Sequence, residues 1–136
     1  MQLALTRYRW PLAGAVAVLI AAAAGAASLW QMQDRSSSTA VAMTGGDIAR
    51  APELIRRYGC AGCHTIPGIA GGDGKVGGPL KDIRQRVYVG GVVTNSPDNM
   101  IRWIVSPQTF SPRTAMPATG ISEAEARDVA AYLYSR

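Results

Sequence analysis

Histidine is nearly missing from this chain of 136 residues: His64 is the only one, and cysteine is confined to Cys60 and Cys63. Two thiols and one imidazole leave a structural zinc tetrahedron incomplete, and no second Cys-x-x-Cys closes it. A thioredoxin-like dithiol needs a βαβ context, which is absent; β alternation is arguable only over Val87 to Val93. A disulfide across a spacing of three would constrain little. Charged residues amount to only 17%, and the scattered Lys and Arg form no nucleic-acid-binding motif, which excludes nucleic acid as a partner despite a formal net charge of +5. From Ser36 onward, 11 Lys/Arg against 8 Asp/Glu leave +3. There are no internal repeats. Glycine (15) and proline (8) are abundant by contrast. A small domain so rich in loop chemistry buries limited apolar area, so an additional staple is expected.

The second absence is of charge near the N-terminus. Pro11 to Trp30 contains no charged residue, and 20 helical residues at about 1.5 Å each span about 30 Å, the thickness of a bilayer's hydrocarbon core. Trp10 and Trp30 flank the run, where amphipathic rings favour the headgroups, and Arg7 and Arg9 precede it, which puts the N-terminus in the cytoplasm. Residues 1–30 therefore read as a membrane anchor. The competing reading is a cleavable signal segment, with Ala24-Gly25-Ala26 resembling a small-residue cleavage site. Both put the rest of the chain outside the cytoplasmic membrane. Residues 31–46, with Ser36-Ser37-Ser38-Thr39 at their centre, read as a flexible linker, and residues 47–136 as the globular domain.

Within that domain Asp47 to Gly59 reads as a short helix with Pro52 near its first turn and Gly59 as its stop. Thr65 to Pro79 is glycine-rich loop. Ser96 and Pro97 start a second helix that Pro107 ends. Phe110 to Pro117 is an extended loop between prolines. Ser122 and Glu125 form a capping box before a final helix whose stripe is Ala126, Val129, Ala130 and Leu133. The expected class is all-α, with three main helices and long loops.

Cys60-Ala61-Gly62-Cys63-His64 is the attachment pattern of a c-type haem. Each thiol adds to one haem vinyl group and the adjacent histidine reaches the iron, which this spacing alone brings under one macrocycle. Such a haem would be the staple that the small core lacks. With a single histidine, bis-histidine ligation within one chain is excluded, so the sixth ligand is a methionine, another group, or vacant. Of the five methionines, Met1 and Met32 belong to the N-terminal segment, Met43 to the linker, and Met100 to an apolar helix face as core filler. Met116 remains, in the proline-bounded loop 52 residues after His64. A Met/His pair raises the haem potential and favours electron transfer over oxygen chemistry.

On these features the chain resembles the class I (mitochondrial-type) cytochrome c family over Asp47 to Arg136. They are the helix ending in Tyr58-Gly59-Cys60, the Cys-x-x-Cys-His itself, a Gly-Pro-Leu loop, Pro112-x-Thr114-x-Met116, and a last helix with Ala131-Tyr132-Leu133. It looks most like bacterial membrane-anchored monohaem cytochromes that serve terminal oxidases. The resemblance implies a cytochrome c fold around one covalent haem c, preceded by a transmembrane helix. It also implies further haem contacts: Arg86 toward a propionate, Trp103 packed on the ring, Thr114 near the propionates, and Pro79 in the loop whose carbonyl holds the axial histidine. The loop here reads Gly77-Gly78-Pro79-Leu80 with its proline displaced by one place, so either Gly78 or Pro79 could supply that carbonyl. Arg113 stands where the family usually has glycine.

The resemblance further implies a non-catalytic electron carrier. Its donor would be a quinol-oxidising complex or dehydrogenase and its acceptor a terminal oxidase. It would be tethered to the bacterial cytoplasmic membrane with the haem domain in the periplasm. Lys75, Lys81, Arg84 and Arg113 could steer the haem edge to an acidic partner. The alternative is a fixed cytochrome subunit of an oxidase or dehydrogenase complex.

Overall fold

Alanine and leucine are strong helix formers, and the alanine-rich N-terminal stretch forms helix α1, Leu3–Thr44. The computed structural model describes residues 3–136, with side chains from Leu12 onward. The expected roles of Arg7, Arg9 and Trp10 therefore lie outside the described side chains. The chain divides into two compact units, Met1–Arg35 and Ser36–Arg136. In the first, large apolar side chains stand uncovered, Leu19, Ile20 and Trp30 being 69%, 64% and 80% exposed. Leu12–Thr44 is long and apolar enough to cross a membrane.

The second unit begins at Ser36, inside α1, rather than at Asp47. The stretch 31–46 is not the flexible linker its Ser/Thr content suggests, being helical as far as Thr44. Burial and hydrogen bonding, one bond of it long-range, override composition there. Ala40 and Thr44 are each only 2% exposed. Thr44 Oγ1 donates to the Ala40 carbonyl at 2.8 Å, and Ser36 Oγ to the Ser135 carbonyl at 3.3 Å. Gly45, left-handed at φ 68°, ends the helix.

Helix α2 (Ala51–Arg57) is shorter than the expected Asp47–Gly59. Asp47 is used in the turn before it: its Oδ1 accepts from the Ala49 N–H at 2.9 Å, and its own N–H donates to Asp128 Oδ1 at 2.7 Å. Buried Asp128 also lies 3.0 Å from Arg50 Nη1 through Oδ2, an ion pair without hydrogen-bond alignment. A single helical turn, α3 (Cys60–Cys63), follows. Tyr88–Val89 (β1) and Val93–Thr94 (β2) form a minimal antiparallel hairpin that overlaps the expected Val87 to Val93 and runs one residue past it. Its turn residues Gly90 and Gly91 both have positive φ, 57° and 74°, as tight hairpin turns demand.

Helix α4 (Pro97–Val105) is capped by Ser96, whose Oγ accepts from the Asn99 N–H at 3.2 Å, and it buries Met100, Ile101, Trp103 and Ile104. Helix α5 (Glu123–Tyr134) carries the expected capping box and stripe. It packs on both α2 and α4, so the three main helices share one core. Burying each of Leu54, Ile55, Val129 and Leu133 there contributes roughly 1.5–3 kcal/mol.

The cap of α5 also ties it to α2. Glu125 Oε2 accepts from Tyr58 Oη at 2.9 Å and from Ser122 Oγ at 2.7 Å, and Arg57 Nη1 lies 3.5 Å from Oε1. The Ser122 hydroxyl first, then the Tyr58 hydroxyl and the Ser122 N–H, hold the Glu125 carboxyl below its ordinary range. A depressed carboxyl stabilises the fold above its unfolded pKa, and that contribution disappears as pH falls through the folded one. Thermal midpoints of wild type and Glu125→Gln are therefore expected to converge on acidification below the carboxylate range, with the wild type higher near neutrality. Parallel curves at all pH would remove Glu125 as the tie.

Candidate functional site

A spacing of three within one helical turn puts two side chains on the same face, and α3 does this for Cys60 and Cys63. The turn is entered through Gly59 at φ 71° and left through His64, whose extended backbone (φ −115°, ψ 142°) breaks the helix. The loop 77–80 then runs beside His64 and is pinned on either side of it. The Gly77 N–H donates to the Cys63 carbonyl at 2.7 Å, and the Leu80 N–H to the Thr65 carbonyl at 2.8 Å.

Between those two anchors His64 Nδ1 lies 2.7 Å from the Gly78 carbonyl oxygen. A carbonyl can only accept, so Nδ1 is the donor, and in the neutral tautomer this selects, the Nε2 lone pair is left for a ligand. The choice between Gly78 and Pro79 thus falls on Gly78. The Pro79 carbonyl instead accepts from Arg86 Nη2, which also donates to the Lys81 carbonyl at 3.2 Å. Pro79 does not itself line the cavity described below, whereas its neighbours Gly78 and Leu80 do.

The His64 ring lies flat against Gly77, where a Cβ would fall 2.3 Å from Cε1 and 2.6 Å from Nδ1. Gly77→Ala is therefore expected to displace the ring or the loop, at about 1–3 kcal/mol, a typical overpacking cost. Gly78→Ala, whose Cβ would meet nothing within 4 Å, should be neutral. Thermal unfolding and haem content of the two variants check this pair.

These elements enclose a cavity of about 450 Å³, within the roughly 300–1,000 Å³ of cofactor sites. Cys60, Cys63, His64, Arg86, Trp103, Thr114 and Met116 all line it, with Ile55, Ile66, Ile83, Ile104 and Leu133 supplying much of its apolar wall. Arg86 is the one Lys, Arg, Asp or Glu among the lining residues. Trp103 is buried between the cavity and the hairpin turn, where a Cβ on Gly90 would fall 2.3 Å from its indole. Met100 lines the cavity too, but from within the core at 4% exposure, whereas Met116 is partly exposed on the Phe110 to Pro117 loop.

Both thiols are free, and burial pushes the Cys60 thiol up, which opposes a reactive thiolate there. Among the described residues, no group of three His, Cys, Asp or Glu side chains could hold a metal ion. The donor set fits haem c instead: two thiols on one helical face, an imidazole, a thioether, and an apolar enclosure.

Sequence reasoning missed two polar partners at the site. Gln108 Nε2 donates to the Met116 carbonyl at 2.8 Å, and Tyr58, on the cavity wall, is held by Glu125. Both link residues from separate elements, for which sequence spacing gives no signal.

The family profile described as Cytochrome c matches residues 48–136. Cytochrome c oxidase subunit 2 of Alkalihalophilus pseudofirmus is 31% identical over 85 residues, covering 61% of this chain and 24% of the relative. The chain thus aligns with about a quarter of that relative's length. No solved structure matches the chain significantly.

Proposed function

The chain belongs to the cytochrome c family, so it carries covalent haem c and transfers electrons, and on that premise we propose that it is a membrane-tethered carrier with a six-coordinate haem. Cys60 and Cys63 would hold the vinyl carbons, and His64 and Met116 the iron. When bound, haem c supplies an iron that takes up or gives up one electron at a time. The observation that carries this reading is the convergence of Cys60, Cys63, His64 and Met116 on one apolar cavity, with His64 Nδ1 engaged by Gly78.

The chain's own residues orient, enclose and steer. The Gly78 carbonyl fixes the His64 tautomer and raises its basicity as a ligand. The isoleucines and Trp103 exclude water, which limits reorganisation around the site. Lys75, Lys81, Arg84 and Arg113 are exposed and suit an acidic partner, steering encounter more than tightening it. The apolar part of α1 fits a single-pass anchor in the bacterial cytoplasmic membrane, with the second unit in the periplasm. Confinement to the membrane would raise the effective concentration of its partners. The electron donor would be a quinol-oxidising complex or dehydrogenase, and the acceptor a terminal oxidase.

The likeness to an oxidase subunit favours one second reading, a fixed subunit of an oxidase complex. Purification in mild detergent, with the reoxidation of the reduced protein by oxidase-containing membranes, separates the two. Reoxidation with substoichiometric oxidase in the preparation is the expected result. One-to-one recovery supports the fixed subunit, and membranes that leave the protein reduced contradict both readings.

A further inference from the structure

A thioether ligand on a loop is held only as firmly as the loop. The strap from Phe110 to Pro117 contains no helix or strand, and its backbone bonds to the preceding turn stop at Ser111, with Thr114 bonded back to Ser111. At Met116 two side chains take over. Thr114 Oγ1 accepts the Met116 N–H at 3.3 Å, and Gln108 Nε2 donates to the Met116 carbonyl at 2.8 Å. The first is long and spans two residues. The second joins the strap to the 3-10 turn Pro107–Thr109 at the end of α4.

That turn is a fixed base. Pro107 is fully buried, the Thr109 N–H donates to the Ser106 carbonyl at 3.2 Å, and the Ser106 and Thr109 hydroxyls are 2.9 Å apart. Phe110 packs against Trp103 with ring centroids 6.2 Å apart and beneath the Arg102 guanidinium at 5.0 Å, so the near end of the strap is anchored too. Gln108 is half-buried, which shields its bond from competition by water. Because a carbonyl only accepts, the atom facing it is the amide nitrogen.

We propose that Gln108 is a positioning residue for Met116, tying the ligand's carbonyl to the end of α4 and setting how readily the thioether gives way to another ligand. This rests on Met116 as the axial ligand. Gln108 is not among the residues that line the cavity; it acts through the backbone of the strap. One neutral hydrogen bond lost from the closed strap corresponds to roughly a fivefold rise in its open population, and a ligand that binds only the open form gains by the same factor.

The test is titration of the oxidised full-length holoprotein with imidazole, followed by loss of the sulfur-to-iron charge-transfer band. Gln108→Met removes the donor at similar volume. Gln108→Glu removes it at neutral pH while keeping the shape, and serves if the first variant folds poorly. Both should keep the band and bind imidazole roughly fivefold more tightly than wild type. A merely structural glutamine would lower the thermal midpoint and leave imidazole affinity unchanged, which overturns the proposal. Wild type without the band overturns the Met116 ligation on which the proposal rests. Wild type with the band and variants of unaltered affinity overturn Gln108 alone.

Discussion

Met116→Ala is expected to abolish the sulfur-to-iron charge-transfer band of the oxidised protein and to let the reduced protein bind carbon monoxide readily. Met116 sits partly exposed on a proline-bounded strap, lines the cavity shared with His64, and has both its backbone groups engaged by side chains. Alanine keeps those backbone bonds and removes the side chain beyond Cβ, thioether included, so the change reports ligation rather than collapse of the strap. The reduction potential should fall as well, since methionine opposite histidine raises it. Met100→Leu is the matching control. Met100 also lines the cavity, but at 4% exposure it is packed into the core on α4. A volume-conserving swap there should cost less than about 1.5 kcal/mol and leave the band in place. Loss of the band in Met100→Leu and its survival in Met116→Ala would exchange their roles.

The second large effect is expected at the thiols. Cys60→Ala should weaken haem staining on a denaturing gel, and the Cys60→Ala, Cys63→Ala double variant should abolish it. The same double variant should lose cooperative unfolding. The cavity of about 450 Å³ is walled by Ile55, Ile66, Ile83, Trp103 and Leu133, residues contributed by every part of the domain that α5 brings together. Without a covalently held group those side chains face water or collapse on one another, and a domain of this size has little other core from which to compensate. Calorimetry of the double variant beside wild type checks this. A sharp, wild-type transition in the variant would mean that the fold does not depend on what fills the cavity.

Much of the architecture was legible because its determinants are local. Ser96 with Pro97, and Ser122 with Glu125, announce helix starts through side chains that reach backbone donors within one turn. Cys60 and Cys63 share a face because of their spacing, and the glycines of Thr65–Pro79 rule out regular structure. What could not be read depends on long-range partners. Ser36 to Thr44 looks like polar coil until Ala40 is buried and Ser36 finds Ser135, 99 residues away. Which carbonyl faces His64 depends on the register between two loop strands, set by the Gly77–Cys63 and Leu80–Thr65 bonds. Arg86, expected from the resemblance near a propionate, lines the cavity but spends hydrogen bonds on the Pro79 and Lys81 carbonyls, bracing the loop that holds His64. Glu125 illustrates both levels at once: its capping role was legible in sequence, whereas its bond to Tyr58 on α2's end required the helices to be packed.

Electron transfer by this chain depends on one haem held covalently by the Cys60–Cys63 turn, with His64 beside it. Mass spectrometry of the denatured wild-type protein after proteolysis tests it most directly. The expected result is a mass increase of one haem, carried by the single peptide that contains both Cys60 and Cys63. That peptide recovered without haem, as free thiols or as a Cys60–Cys63 disulfide, would contradict it.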